Sequence, residues 1–550
     1  MLKNFSQQFR ISNIYIFLFL IVLSSIVLRL HEINNLPKGL FGDEAADGLD
    51  AISILEGNRP IFLTENNGRE PLHAYLISIA INVLGRTPAA IRWPSAIASI
   101  LTVVGVFLAS KSLTNIKSGL IAAIICSFTI WPIMLGKLAT RPALLPLLLC
   151  IFIWLLSSAY KTSKNLYWSL SGLVIGVAMY SYTPIRLIIL IPILISPVIF
   201  TNKSLRYQIL PGFIYLFVSF ILISTPLIHY TISNPSEILG RTTGVSIIAT
   251  DSTIKESLNL LLNQTTTVLN MFITPNGGDW NLRHNIPKRP IFDPLMSLAF
   301  LLGLIITNLK FSINKRLFLL AWIILSLSAT ILSEEPPHFG RSSALISIIF
   351  VFPATGLIWI YTTIKKHSNK FIAILIPSTI MLGSIFYTIR DFYFDRYLDQ
   401  PDTGFWFDEQ CTIAASEINT FLGNGWIKNT NAPYNPNDIT KSDKAVFISS
   451  NVCPQYSSSG YYTLQFLVPF DINKSSIVQR YTPDIIKETN TLPNQLLFLS
   501  IPGEETTIGP WLENNYTVSI IDGPWTPPDM LGNSWLVYRS IYANRTGSIQ

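Results

Sequence analysis

Charge is scarce in this 550-residue chain: Asp, Glu, Lys and Arg make up 13% of it, against 49% apolar residues and a mean hydropathy of +0.43. Soluble domains carry roughly 25% charged residues, so the composition excludes a row of soluble domains, and it equally excludes a disordered chain, a coiled coil or collagen. Cysteine is scarce too. Four residues cannot build a disulfide scaffold; Cys126 and Cys150 lie in apolar runs, where a thiol acts as a small hydrophobe, which leaves only Cys411 and Cys453 to pair. Histidines number six and show no tight His-x-x-x-His spacing, so no zinc motif is written locally. The net charge of +7 does not point to nucleic acid, because the basic residues sit in short loops between apolar runs, where they orient a chain in a bilayer. No carboxylate interrupts those runs and no internal repeat is visible, which removes the signs of an ion-coupled transporter.

What remains is a polytopic membrane protein. About 20 residues at 1.5 Å rise cross roughly 30 Å of hydrocarbon. Eleven runs read as spans: Ser12–Leu30, Trp93–Ser110, Ser118–Leu135, Pro142–Ala159, Trp168–Tyr182, Leu187–Phe200, Ile209–Ile228, Leu295–Thr307, Leu317–Leu332, Ala344–Tyr361 and Phe371–Phe386. Pro71–Leu84 is short and carries His73 and Asn82, so it reads as an interfacial or re-entrant helix. With that run not crossing, the cytoplasmic segments hold Lys3, Arg10, Lys111, Lys117, Lys161, Lys164, Lys203, Arg206, Lys310, Lys315, Arg316, Lys365, Lys366 and Lys370, and no acidic residue. This distribution predicts a plasma-membrane protein with a cytoplasmic amino terminus and an extracytoplasmic tail.

Polar chemistry collects on the outer rim, in loops 29–92, 136–141, 180–186, 229–294 and 333–341. After Arg390 the apolar density falls and β-rich runs follow at Ala445–Ser450, Gln495–Ile501, Thr517–Ile521 and Ser534–Tyr538. The expected organisation is therefore a membrane domain over 1–390, with loop 31–92 as its acidic first outer loop and 229–294 as its large one, and a soluble α/β domain over 391–550.

The first outer loop carries Gly39-Leu-Phe-Gly-Asp-Glu-Ala-Ala-Asp47 ahead of a helical stretch. An Asp43-Glu44 pair there suits a general base, a metal ligand or a basic partner; it equally suits a helix N-terminus, where the dipole favours carboxylates. Downstream, Arg69 and Glu70 open the short apolar helix in Asn66-Asn-Gly-Arg-Glu-Pro-Leu-His73, and a charged pair at that place is often an interfacial anchor. Lys137, Arg141, Arg186, Arg241, Arg283 and Arg341 all fall on the outer side despite the opposite trend elsewhere. Each alone reads as a headgroup anchor; together they suit a phosphate. Tyr180, Tyr182 and Trp280 fit either sugar stacking or an interfacial aromatic belt. His229, Asp279 and His338 share the same side.

In order and sidedness these motifs resemble the polytopic GT-C glycosyltransferases, in the branch of the protein O-mannosyltransferases, the lipid A aminoarabinose transferases and the bacterial RgtA/B/C/D-like enzymes. The likeness spans roughly 12–390 and rests on Asp43-Glu44, Glu70-Pro-Leu72, Ile91-Arg-Trp-Pro-Ser95, Lys137-Leu-Ala-Thr-Arg141, Tyr180-Ser-Tyr-Thr-Pro-Ile-Arg186, Gly278-Asp-Trp-Asn-Leu-Arg283, Phe292-Asp-Pro294 and Glu335-Pro-Pro-His-Phe-Gly-Arg341. Where the family often sets an Arg in an aromatic or Ser-Arg context, this chain has Thr140-Arg141 and an extra Lys137. The resemblance implies a helical GT-C membrane fold of about 11–13 transmembrane helices with an extracytoplasmic α/β domain. It also implies transfer of a sugar from a polyprenyl-phosphate donor to a glycan, lipid or protein acceptor. Asp43, Glu44 and Glu70 are then the catalytic candidates, the six cations bind the donor phosphate, and Arg69, Tyr180, Tyr182, His229, Asp279, Trp280 and His338 line the substrate site. No metal ligand set is assigned, and a divalent cation is the one cofactor entertained. The competing reading is a flippase, or a polymerase or ligase of lipid-linked polysaccharide; a flippase needs a polar path that acid-free spans do not offer.

Overall fold

The computed structural model describes residues 2–64, 68–192, 203–244, 254–397, 401–428, 443–454, 460–470, 475–481, 492–528 and 532–546, with 194, 247 and 472. The chain divides into two units. The first comprises Met1–His31, Arg59–His73 and Pro94–Tyr397; the second comprises Glu32–Asn58, Ala74–Trp93 and Leu398–Gln550. Two segments of the acidic first loop thus group with the tail rather than with the membrane helices.

Apolar runs without backbone partners in lipid must close their own hydrogen bonds, and they do so as helices. Among the described residues six helices are long and apolar enough to cross a membrane, or seven if one bent pair counts as a span: Pro88–Leu113, Arg141–Thr162, Ile209–Ser233, Ile313–Ile331, Ser343–His367, Lys370–Tyr393 and the pair Ile116–Phe128 with Ile130–Lys137. Shorter apolar helices cover Ile14–Leu30, Leu72–Leu84, Asn165–Ala178 and Pro294–Lys310. Ten of the eleven expected spans thus coincide with helices, and half of Leu187–Phe200 falls outside the described residues. Leu222, Leu309 and Phe386 stay exposed on their helices, as residues facing lipid do.

We label the early helices α1 (Leu2–Leu30), α2 (Gly42–Leu55), α3 (Leu72–Leu84), α4 (Pro88–Leu113), α5 (Ile116–Phe128), α6 (Ile130–Lys137), α7 (Leu144–Thr162), α8 (Asn165–Ala178) and α9 (Ile185–Ile188). The expected unbroken span Ser118–Leu135 is instead α5 and α6, bent by 57° at Thr129. Pro132 explains the break: its ring would collide with the carbonyl of Phe128 in a continuous helix. The carbonyls released there are met by Arg29, which donates through Nη1 to Ser127 O at 3.1 Å and through Nη2 to Cys126 O at 3.5 Å, while its Nε donates to Ser99 Oγ at 2.7 Å.

Elsewhere glycine permits close backbone approach, the usual means of joining helices where no water drives association. A Cβ on Gly303 would lie 1.7 Å from Phe352 O, and one on Gly356 would lie 1.9 Å from Ala299 O, so Pro294–Lys310 and Val351–His367 meet along reciprocal small-residue contacts. Gly172 of α8 stands in the same relation to Leu216 O in Lys203–Ser233.

The second unit is built on a five-stranded sheet of β1 (Lys444–Ser449), β2 (Val478–Tyr481), β3 (Gln495–Ser500), β4 (Tyr516–Asp522) and β5 (Arg539–Arg545) in the order β2-β1-β3-β5-β4. β1 runs parallel to β2 and β3; β5 is antiparallel to β3 and β4. The run expected as a strand at Ser534–Tyr538 contributes only an isolated bridge, Leu536 to Trp525, and the strand begins at Arg539. Cys411 and Cys453 are joined by a disulfide, their Cα atoms 6.0 Å apart. α2 belongs here too. Leu40 N donates to Thr412 Oγ1, Thr463 Oγ1 donates to Leu40 O and Gly42 N donates to Asp408 Oδ2, so the acidic motif enters its helix from a backbone fixed at three points.

Candidate functional site

Asp43 and Glu44 occupy the first turn of α2, where free N–H groups and the helix dipole favour carboxylates. Their surroundings differ. Glu44 is buried at 2% exposure and pairs with the fully buried Arg92: Nε reaches Oε1 at 3.1 Å and Nη2 reaches Oε2 at 3.2 Å. Its Oε2 also accepts from Phe41 N at 3.2 Å, the reach-back of a capping glutamate. Arg92 meanwhile donates to the carbonyls of Ile33, Pro37 and Gly39. Glu44 is thereby committed to holding the loop that presents its neighbour. Asp43 is exposed.

A second constellation lies in the other unit. Leu63 and Arg69 exchange backbone hydrogen bonds, Pro71 follows, and Leu72 N donates to Tyr180 O at 3.0 Å as α3 begins. Glu70 is thereby buried, at 1% exposure, just ahead of the α3 N-terminus. Thr183 Oγ1 donates to its Oε1 at 2.9 Å, Arg186 Nη2 donates to the same oxygen at 3.0 Å, and Arg141 Nη1 stands 3.7 Å from Oε2. One carboxylate beside two guanidinium groups sums to a single positive charge. Arg186 spends one N–H on Glu70 and keeps 28% of its side chain exposed. Beside this, buried His73 contacts Ser95 Oγ at 3.0 Å through Nε2, and Ser95 Oγ accepts from Thr140 N at 3.1 Å, which fixes the residue preceding Arg141.

The third constellation forms where loop 271–293 meets 333–341. Asp279 is buried; its Oδ1 accepts from Asn281 N at 2.9 Å and its Oδ2 from Phe339 N at 2.7 Å. Burial pushes the Asp279 carboxyl up to about 7, against those two amides. His284 and His338 lie beside it, ring centroids 4.5 Å apart. Burial, with Arg283 and Arg341 nearby, holds the His284 ring down at about 4. The ligating atoms of Asp279, His284 and His338 all lie within 4.8 Å of one another.

The remaining candidates are placed as follows. Lys137 is buried and donates to His31 O at the end of α1, satisfying a helix-terminal carbonyl. Tyr180 inserts its hydroxyl beside the Pro226 position of Lys203–Ser233, donating to Ile223 O at 3.0 Å and accepting from Leu227 N at 3.3 Å. Tyr182 is buried in the helical core. Arg69 is buried, His229 is exposed and Trp280 is 41% exposed. Arg341 donates to Glu334 O at 2.9 Å. The side chain of Arg241 lies outside the described residues.

Sequence reasoning missed Arg92, Thr183 and His284 as site residues, although Arg92 and Thr183 sit inside motifs that it singled out. Arg289 was missed as well: it pairs with Asp391 at 2.8 Å in a buried bridge. The signal for all of these is a polar residue inside an otherwise apolar or turn-rich segment. Their partners are distant in sequence, so the pairing itself is not written locally.

Residues 68–229, which carry Glu70, His73, Arg92, Lys137, Arg141, Thr183 and Arg186, match the family described as dolichyl-phosphate-mannose-protein mannosyltransferase. No curated protein sequence matches the chain. Among solved structures the chain is similar to ArnT from Cupriavidus metallidurans bound to undecaprenyl phosphate, with a TM-score of 0.52 at 10% identity and 98% of each chain covered. The apo state of that ArnT gives 0.50 at 9% identity, over 97% of this chain and 98% of the other. The apo oligosaccharyltransferase of Archaeoglobus fulgidus gives 0.49 at 12% identity, over 98% of this chain and 75% of the other. With ArnT, at these identities, the likeness is one of fold.

Proposed function

We propose, for a chain that has the fold of the GT-C membrane glycosyltransferases, that it moves a sugar from a polyprenyl-phosphate-linked donor to a glycan, lipid or protein acceptor on the outer face of the membrane. The observation that carries the reading is the buried Glu70 held by Thr183, Arg186 and Arg141. A buried carboxylate that spends one edge on an arginine fixes that guanidinium while leaving its other donors for an anion, and the local net positive charge favours a phosphate. Loss of a polyprenyl phosphate from a sugar develops charge on the departing oxygen, which donors already in place stabilise without reorganisation. In this reading Arg186 and Arg141 hold the phosphate and Glu70 positions them.

The acceptor hydroxyl needs a base. Asp43 is the residue proposed for it, an exposed carboxylate on a rigid helix terminus whose neighbour Glu44 is fully engaged by Arg92. Asp279, Trp280 and His338 are proposed as substrate-side groups with Tyr180 and Tyr182, and Lys137 as a further cation for the donor phosphate; Tyr180 and Lys137 also make the backbone contacts described above. In this reading the amino terminus lies inside and the tail outside, a sidedness that the basic residues of the short loops support.

The test is to incubate the purified full-length protein with a panel of radiolabelled polyprenyl-phosphate sugars and a membrane acceptor fraction. Transfer of label from one donor class, lost in Arg186→Ala through a rise in KM, supports the reading. Label retained on every donor of the panel contradicts it.

A further inference from the structure

The third constellation has a feature that sugar transfer does not require. His284 Nδ1 is buried and, among the described residues, has no hydrogen-bond partner. A buried ring nitrogen left unmet costs free energy unless something supplies a partner. The two rings are closely packed. Gly340 lies against both imidazoles, where a Cβ would stand 3.0 Å from His338 Cε1 and 3.4 Å from His284 Cδ2, so this position admits no larger side chain without moving a ring. The backbone around the cluster is fixed by short turns: Asn281 Oδ1 accepts from Arg283 N at 3.0 Å, and Asn285 Nδ2 donates to the carbonyls of Asp279 and Arg289 at 3.0 and 2.6 Å. His338 is anchored from Thr330, whose Oγ1 accepts its amide at 2.8 Å.

We infer that Asp279, His284 and His338 form a site for a borderline transition-metal dication of the zinc class. Two imidazoles and one carboxylate, contributed by two separate loops, are the donor set such ions take, and three protein ligands leave one coordination position open. The donor atoms lie within 4.8 Å of one another, whereas a tetrahedral ion with ligands at about 2.1 Å needs them roughly 3.4 Å apart. Side-chain rotation of about an ångström per ligand closes that difference. His338 Nδ1 faces the Arg341 amide at 3.2 Å, so the nitrogen carrying the lone pair is already defined, and the ion displaces this long contact.

The same surroundings set the selectivity. Arg283 adjoins His284 in sequence, and Arg341 follows His338 by three residues. A hard cation attracted by field alone is disfavoured beside two guanidinium groups and offered a single carboxylate. Mg2+ and Ca2+, which require several oxygen ligands, are therefore excluded, and an ion bound through imidazole nitrogens is retained. The inference does not depend on the proposed sugar transfer.

Full-length protein purified without a histidine tag, stripped with chelator and titrated with Co2+ tests it. The expected result is one tight equivalent with the visible ligand-field bands of a four-coordinate ion, displaced by Zn2+ and untouched by millimolar Mg2+ or Ca2+. His284→Ala and His338→Ala weaken binding by about 10²-fold or more. X-ray absorption of the zinc-loaded wild type, which needs no variant to fold, shows two imidazole ligands and an oxygen donor. Absence of a stoichiometric cobalt site, undiminished binding in both folded variants, or a first coordination shell without imidazole overturns the inference.

Discussion

Asp43 and Glu44 are adjacent in sequence and share a helix turn, but Glu44 is buried and Asp43 exposed. The pair Glu44–Arg92 is buried on both sides, and removing one partner of such a pair leaves an uncompensated charge, at a cost of about 3–5 kcal/mol. Glu44→Gln and Arg92→Met should therefore lower the thermal stability of the purified protein and its yield, whereas Asp43→Asn should leave both unchanged. A differential scanning melt of the three variants separates the roles; equal melting points would mean that Glu44 does not hold the loop. The sequence pattern placed both acids at a helix start, and that placement survives in the structure. The pairing of Glu44 with Arg92 was illegible, because Arg92 lies 48 residues on from Glu44 and no local pattern records a contact across that distance. Glu70 was legible as a carboxylate ahead of a short apolar helix. Its arginine partners, 71 and 116 residues away by their numbers, were legible only as outer-loop cations.

At the level of elements, apolar runs of bilayer length were the strongest signal, and ten of the eleven became helices because lipid leaves a backbone no other way to pair its hydrogen bonds. The break at Thr129 was missed because hydropathy does not register Pro132, which is apolar and breaks the helix by geometry. β5 was missed in favour of the apolar Ser534–Tyr538 because it carries Arg539 and Arg545 at its ends; Arg539 is tolerated by pairing with Glu505 and Asp522. Two predictions belong here. Gly303→Val puts side-chain atoms onto the backbone of Val351–His367, where even a Cβ would stand 1.7 Å from a carbonyl oxygen, so the variant should fail to give monodisperse protein. Recovery of a well-folded Gly303→Val protein by size-exclusion chromatography would show that this helix pair is not closely packed. Replacing Cys411 and Cys453 by Ser opens a loop of 42 residues, worth about 4 kcal/mol by chain-entropy reckoning, and should bring unfolding of the tail to lower denaturant. An unchanged denaturation midpoint would mean that the bond adds nothing to the folded tail.

For the whole molecule the question is which side of the membrane each loop faces. The acid-free, Lys- and Arg-rich short loops predict that a Lys117→Cys protein in intact cells resists an impermeant maleimide added from outside. Labelling at that position would invert the topology. For the proposed transfer from a polyprenyl-linked donor to an external acceptor, the account stands or falls on whether one exposed carboxylate does the chemistry. The most direct measurement is the rate of sugar transfer from a labelled polyprenyl-phosphate donor at saturating concentration, compared between wild type and Asp43→Asn in the full-length protein. The variant keeps the shape of the side chain and loses the base, so the account predicts normal insertion and a fall in kcat of about 10²- to 10⁴-fold. A correctly inserted Asp43→Asn protein that transfers sugar at the wild-type rate would contradict it.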